Sequence, residues 1–320
     1  MRPFNQTTVL GLVATLFVAA SAFAQPGVFT KEDLIKYTPE WKGERFDDGR
    51  PKVSDSIIER MKAVTLEEAW ATLRSGGFTH QYEEGWLSIH PEKVLVGRAL
   101  TAVWMPGRPD VHKVIAEQGK KDGRIGGQNA WPVDLLQKGD VYVADHFGLH
   151  VDGASIGDNV ANAIYANSGN GIVYDGTIRD IEGLNKLENF TSFVRAYHPS
   201  HHFSSLGRGL NSTMMGINSP VRVGDAMVMP GDVVLGRSGG VIFIPAHLAE
   251  KVVTSSELIR LRDMFGHLRL REGTYTPGQI DTGRWTEAIE GDFWQWLADN
   301  AATVPVPADV VREMINNRAQ

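Results

Sequence analysis

Two short pairs of residues have the types and spacing that could do chemistry. Gly157-Asp158 stands just before a stretch with helical apolar spacing, and Arg179-Asp180 follows after twenty intervening residues. A residue in the turn before a helix lies beside backbone N–H groups that have no partner inside the helix and can hold an anion. Arg179-Asp180 comes just after Gly171-Ile172-Val173-Tyr174-Asp175-Gly176, a short apolar strand bounded by glycines. In open α/β sheets, ligands gather at the carboxyl ends of such strands. One helix and one strand separate the pairs, so a single return crossing predicts that both lie at the same edge. Two carboxylates, a guanidinium and free amides there match a divalent-metal site for a 2-oxo acid. Carboxylates take Mg²⁺ or Mn²⁺ with waters filling the shell. Arginine pairs with a carboxylate or an enolate oxygen through a fixed fork of donors. A metal Lewis acid on the keto oxygen then replaces a Schiff-base lysine. The same residues also admit a plainer reading, with Asp158 as a helix N-cap and Arg179-Asp180 as a structural ion pair.

The elements that must position these pairs alternate in type. Ser54 or Asp55 caps an amphipathic helix through Ile57, Ile58, Met61 and Val64. A second helix covers Leu66 to Leu73 and ends at Gly76-Gly77. Val94 to Val103 and Gly139 to Asp145 read as strands, and Asn159 to Asn167 as a helix. The apolar run at 171–176 is expected for a strand buried on both faces. Val221-Arg222-Val223, Val233-Val234-Leu235 and Gly240 to Pro245 add further β-structure, punctuated by Pro230-Gly231-Asp232. Leu248 to about Leu270 is a long helix. Residues 271–320, with Tyr275, Trp285, Phe293 and Trp296 among charges, form an appended arm whose aromatics are packing anchors.

Composition bounds the partners. The net charge is −6, and the chain lacks a basic block, which disfavours nucleic acid. There is no cysteine, which excludes thiol catalysis and thiolate metal sites. Arg2, the apolar run Val9–Ala20 and the small residues Ala22 and Ala24 predict a signal peptide over 1–24, hence a periplasmic or secreted protein. No second apolar stretch reaches membrane-spanning length, so no membrane association is expected after cleavage. Residues 25–52 read as a polar, turn-rich N-terminal extension.

Other segments compete for attention. His198-Pro199-Ser200-His201-His202 could bind metal or move protons, although the adjacent Pro and Ser and the short spacing fit an irregular loop better. His80-Gln81-Tyr82-Glu83-Glu84-Gly85-Trp86 reads as a surface loop that could set specificity. Gly169-Asn170-Gly171 precedes a strand instead of opening a helix, so it is no dinucleotide fingerprint.

The spacing Asp158-x20-Arg179-Asp180 resembles the signature of the RraA-like family, which includes 4-hydroxy-4-methyl-2-oxoglutarate aldolases and regulators of ribonuclease activity A. Val96 to Thr101, Gly139 to Asp145, Gly171 to Gly176, Pro230 to Val233 and Gly240 to Pro245 are similar in the same order. The resemblance covers roughly residues 53 to 270. It implies a layered α/β/β domain of the swivelling β/α/β type with a mixed sheet, to which the helical arm is added. It further implies a homotrimer, sometimes paired into a hexamer, with sites between subunits. Asp180 would bind the metal, and Asp158 would orient water in the metal shell and transfer protons. Arg179 would hold the keto or enolate oxygen, and the amides of Asn159 and Val160 would cradle the substrate carboxylate. A third acidic ligand would come from a neighbouring subunit, with Glu257 and Asp263 as candidates. The turn Gly236-Arg237-Ser238-Gly239 departs from the acidic turn common in the family. The expected function is a metal-dependent lyase, an aldolase or decarboxylase, acting on a small 2-oxo acid through a metal-stabilised enolate. Alternatives are an exported enzyme acting on an oxidised sugar derivative and a non-catalytic binding protein.

Overall fold

A computed structural model describes residues 29–148, 153–201 and 211–318. The expected signal peptide lies outside these residues. Among them, no helix is long and apolar enough to cross a membrane.

The chain opens with helix α1 (Lys31–Tyr37), where Thr30 and Asp33 cap each other's backbone amides. Helix α2 (Asp55–Met61) follows Ser54, whose hydroxyl accepts from the Ile57 amide, as the sequence predicts. Helix α3 (Leu66–Ser75) starts from a Thr65–Glu68 capping box and stops at Gly76. Strands β1 (Tyr82–Glu83) and β2 (Leu87–Ile89) are short, and β3 (Leu95–Pro106) is the longest. Helix α4 (Pro109–Lys121) leads to β4 (Asp140–Asp145), α5 (Asp158–Ser168) and β5 (Ile172–Ile178). The one-turn helix α6 (Ile181–Leu184) precedes β6 (Ser192–Tyr197) and β7 (Ser212–Ile217). A ribbon of β8 (Val221–Val223) and β9 (Ala226–Val228) is followed by the hairpin β10 (Val233–Arg237) and β11 (Gly240–Ile244). Helix α7 (Ala249–Arg271) and helices α8 (Pro277–Ile280), α9 (Glu287–Asn300) and α10 (Ala308–Arg318) complete the chain.

The main sheet is mixed, ordered β1-β11-β10-β3-β4-β5-β6-β2, with β7 paired to the far half of β3. Strands β3 to β6 are parallel, so their carboxyl ends share one edge. Side chains alternate between faces along each strand. One face presents Val96, Leu100, Trp104, Tyr142, Tyr174 and Ile242 to the helices. The other presents Leu95, Val141, Val143, Val173, Val234 and Phe243, which the β8–β9 ribbon covers with Val221, Val223, Ala226 and Val228. The result is the layered α/β/β arrangement with a mixed sheet.

Two expectations need revision. Residues 25–52 read as a polar extension, yet Leu34 and Arg50 are fully buried, and Arg50 forms an ion pair with Asp140 at 3.0 Å. Burial of a charge is tolerable only with such a partner, so residues 29–52 of this segment are built into the domain. The second concerns α7, which serves two cores. Val252 and Val253 pack on the sheet, whereas Leu261 and Phe265 pack with Ile289, Phe293 and Leu297 of the arm. The arm's aromatics cluster on Phe265, with ring centroids of Tyr275, Trp285, Phe293 and Trp296 at 6.4, 5.4, 5.6 and 5.8 Å.

Candidate functional site

The last residue of β5 makes the decisive contact. Ile178 forms a parallel bridge with Ile156, and the Arg179 amide donates to the Ile156 carbonyl at 3.0 Å. The segment entering α5 is thereby laid along the tip of β5. Asp180 then adopts the left-handed conformation (φ 58°, ψ 43°), and its carbonyl accepts from the amides of Gly183 and Leu184 to start α6. Aspartate pays less than most residues for this backbone shape, and residues held there cluster at functional sites.

The turn directs the Asp180 carboxylate at the α5 N-terminus. Its Oδ2 accepts from the Asp158 amide at 3.3 Å, and Arg179 Nη1 lies 3.0 Å from Oδ2 and 3.2 Å from Oδ1. Gly157 makes this approach possible, since a Cβ there would stand 2.4 Å from Asp180 Oδ2 and 3.1 Å from Arg179 Cζ. Gly183 performs the same service for Asp158, whose Cβ would be 2.8 Å away from a side chain at that position. Residues 158, 179 and 180 therefore meet on a partly exposed shelf at the carboxyl edge of the parallel strands. Three cavities among the described residues are lined by other parts of the molecule.

The shelf's chemistry suits a hard cation. Two carboxylates, part-buried and open to water, fit Mg²⁺ or Mn²⁺ retaining much of its hydration shell. Among the described residues, no three His, Asp or Glu side chains converge; further ligands would be water, substrate or another subunit. Asp180 and Asp158 would be the protein's own donors. Of the two candidates for an outside ligand, Glu257 is committed elsewhere. It is only 2% exposed, and Arg60 holds both its oxygens at 2.8 and 2.5 Å, which corrects its expected availability. Asp263 is exposed on α7.

The expected carboxylate cradle also changes. The Asn159 amide donates to Asp158 Oδ1 at 2.8 Å, so it is occupied by its neighbour's side chain. Val160 is half-buried in the first turn of α5. His198 follows β6, and its amide donates to the Ile178 carbonyl at 3.0 Å, which brings the start of the histidine loop to the same edge. Its Nδ1 accepts from the Ser200 amide at 3.2 Å. His201 is exposed, and His202 lies outside the described residues.

The stretch 80–86 is not a free loop. Its Tyr82-Glu83 pairs with β11, and Trp86 stacks on the Arg195 guanidinium with Cζ 3.8 Å from the ring centroid. Arg195 also bridges Asp175 and Glu83, each at 2.6 Å. Sequence reasoning missed this cluster, because its members come from three distant segments. Nearby, burial raises the Asp145 carboxyl above its ordinary range, and the Phe147 amide donates to it at 2.9 Å. The Arg237 turn likewise has a local purpose, with Nε donating to the Val64 carbonyl at 2.8 Å.

Comparison with known proteins agrees with this architecture. A candidate 4-hydroxy-4-methyl-2-oxoglutarate aldolase from Halalkalibacterium halodurans is 31% identical over 119 residues, which is 37% of this chain. The chain spans about half, 52%, of that relative's length. Streptomyces coelicolor RraAS2, described as an unusual member of the RNase ES inhibitor RraA protein family, superimposes with TM-score 0.57 at 22% identity. That match covers 68% of this chain and all of RraAS2. An uncharacterized protein from Pseudomonas syringae pv. tomato matches with TM-score 0.55 at 19% identity over 72% of this chain and 98% of its own. At these identities the structural likenesses speak for the fold alone. The family model described as Aldolase/RraA matches residues 51–243, more than half of the sequence, and the chain belongs to the RraA-like family.

Proposed function

We propose that the protein is a divalent-metal-dependent carbon–carbon lyase acting on a small 2-oxo acid at the shelf formed by Asp158, Arg179 and Asp180. The observation that carries this reading is the meeting of the Arg179 guanidinium and the Asp158 amide on the Asp180 carboxylate. Family membership and the partial match to a candidate aldolase support it.

Mg²⁺ or Mn²⁺ held by Asp180, with Asp158 acting through water, supplies a Lewis acid for the keto oxygen when bound. Arg179 uses only Nη1 on Asp180 among the described residues. Its remaining N–H groups can bind the keto oxygen and stabilise the negative charge that grows there as the carbon–carbon bond breaks. Asp158 stands at the helix tip with one oxygen on the Asn159 amide, and its other oxygen is placed to hold or return a proton. The Val160 amide and the positive end of α5 favour the substrate's carboxylate. Because Arg179 and Asp180 are partly exposed within one chain, a second subunit of a homotrimer or hexamer would cover them and could supply Asp263. Export to the periplasm or beyond belongs to the same proposal.

Purified protein with Mg²⁺ or Mn²⁺ is expected to release pyruvate from oxaloacetate or a 4-hydroxy-2-oxo acid, followed by a coupled pyruvate assay, and EDTA should abolish release. The Arg179–Asp180 ion pair on a partly exposed edge also fits a second reading, a non-catalytic binding protein. Saturable binding of oxo acids without turnover would select it.

A further inference from the structure

Away from the shelf, five segments enclose a cavity of about 390 Å³. Tyr37 ends α1, Trp41 follows it, and Phe78 comes from the connection after α3. Met227 and Met229 lie in and just after β9, Asp232 just before β10, and His247 between β11 and α7. None of these residues belongs to the shelf.

Much of the wall is electron-rich. Three aromatic rings and two thioethers line it, and aromatic ring faces attract cations. The Phe78 and His247 rings lie 5.9 Å apart. The wall's amide and indole donors are already spent. Trp41 Nε1 donates to the Glu44 carbonyl at 2.8 Å, and Gln81 Nε2 donates to the carbonyls of Phe243 and Met227 at 2.8 and 3.3 Å. Neither lysine nor arginine lines the cavity, whereas two acids, Glu40 and Asp232, do. Lys36 lies over the Tyr37 ring at 5.2 Å, so an aromatic of this wall already attends an ammonium.

We propose that this cavity binds a small organic cation with an apolar body, such as an alkylated ammonium. The rings and thioethers hold the alkyl groups and the face of the charge, and the two acids supply the counter-charge. An anion would face Glu40 and Asp232 and is rejected. A neutral ligand of the same shape would keep its packing on the rings but lose the electrostatic attraction of both the ring faces and the acids.

The charge of the wall depends on pH in a defined direction. Burial pushes the Asp232 carboxyl up to about 7, although the Met229 amide donates to it. Burial lowers His247, partly opposed by Glu40. The titratable groups facing the cavity are therefore Tyr37, Glu40, Asp232 and His247. As pH falls through 7, Asp232 loses its charge, and further acidification protonates His247. Both changes weaken a cation's binding.

Calorimetry on the full chain would compare choline with its uncharged isostere 3,3-dimethylbutan-1-ol. Choline should bind about tenfold tighter, the ratio expected for a desolvated cation over aromatic rings, and its affinity should fall between pH 8 and pH 5.5. Trp41→Leu should lose roughly fivefold or more in choline affinity for the same reason. If that variant unfolds, Glu40→Gln, on an exposed side chain, should still weaken choline and leave the alcohol unchanged. Equal binding of the two probes, no saturable choline binding, or wild-type affinity in the variants would overturn the proposal.

Discussion

Two arginine–aspartate pairs in this molecule have similar distances and opposite settings. Arg50 and Asp140 meet at 3.0 Å with both side chains 0% exposed. Arg179 and Asp180 meet at the same 3.0 Å with 26% and 34% exposed. Burial raises the Asp140 carboxyl above its ordinary range despite Arg50 beside it, which shows how far the interior penalises the charge. Asp48 and the Ala99 carbonyl take further donors of Arg50, and the Gln137 amide donates to Asp140. Among the described residues Asp140 Oδ1 is left without a partner, but both side chains are sealed from solvent, so no ligand reaches this pair. At the β5 tip, by contrast, Arg179 keeps unused donors and Asp180 keeps contact with water. Distance alone does not separate a structural pair from a functional one; exposure does.

The contrast can be tested from its strong end. Arg50→Ala leaves Asp140 buried without its cation, and loss of one partner of a buried pair costs about 3–5 kcal/mol. Urea unfolding should show that loss; a cost under about 1 kcal/mol, typical of exposed pairs, would erase the distinction. Asp180→Asn keeps a residue that tolerates the left-handed backbone but removes the charge. Metal-dependent turnover should fall by about 10²-fold or more, as when a single preorganised electrostatic group is removed, while stability stays within about 1 kcal/mol. Parallel loss of activity and stability would make this pair structural too. The mildest probe is Gly157→Ala, whose methyl group would press on Asp180 Oδ2 and Arg179 Cζ. Displacing the carboxylate by a fraction of an ångström should lower turnover on the order of tenfold, with unchanged unfolding. Wild-type turnover in this variant would mean that the observed closeness of helix and strand tips is not required.

Much of the parallel core was legible, because its signals are local. Glycine-bounded apolar runs marked β5 and β11, and Ser54 and Gly76 marked helix ends close to where they occur. The shelf was legible because Asp158 and Arg179-Asp180 are separated by one helix and one strand, so a single return crossing predicts their meeting. Helix α4 was not read, since its apolar residues Val111, Val114 and Ile115 are few among charges. Strands β6 and β7 were hidden for a different reason. They border a segment rich in His, Ser and Asn, which reads as loop, and only their neighbours β5 and β3 make them strands. Glu257 looked like an available acid because nothing in its vicinity names Arg60, 197 positions away, as its partner.

By itself, the sequence determined the periodicities, the caps and turns, and the spacing that puts an acid at a helix start and an Arg-Asp pair after a strand. These depend on residues a few positions apart, where chain geometry leaves little freedom. Tertiary structure alone decided which charges are buried together, which amide is already taken, and which acid remains open to water. Those outcomes depend on strand order and on contacts between distant segments, for which short-range spacing holds no information.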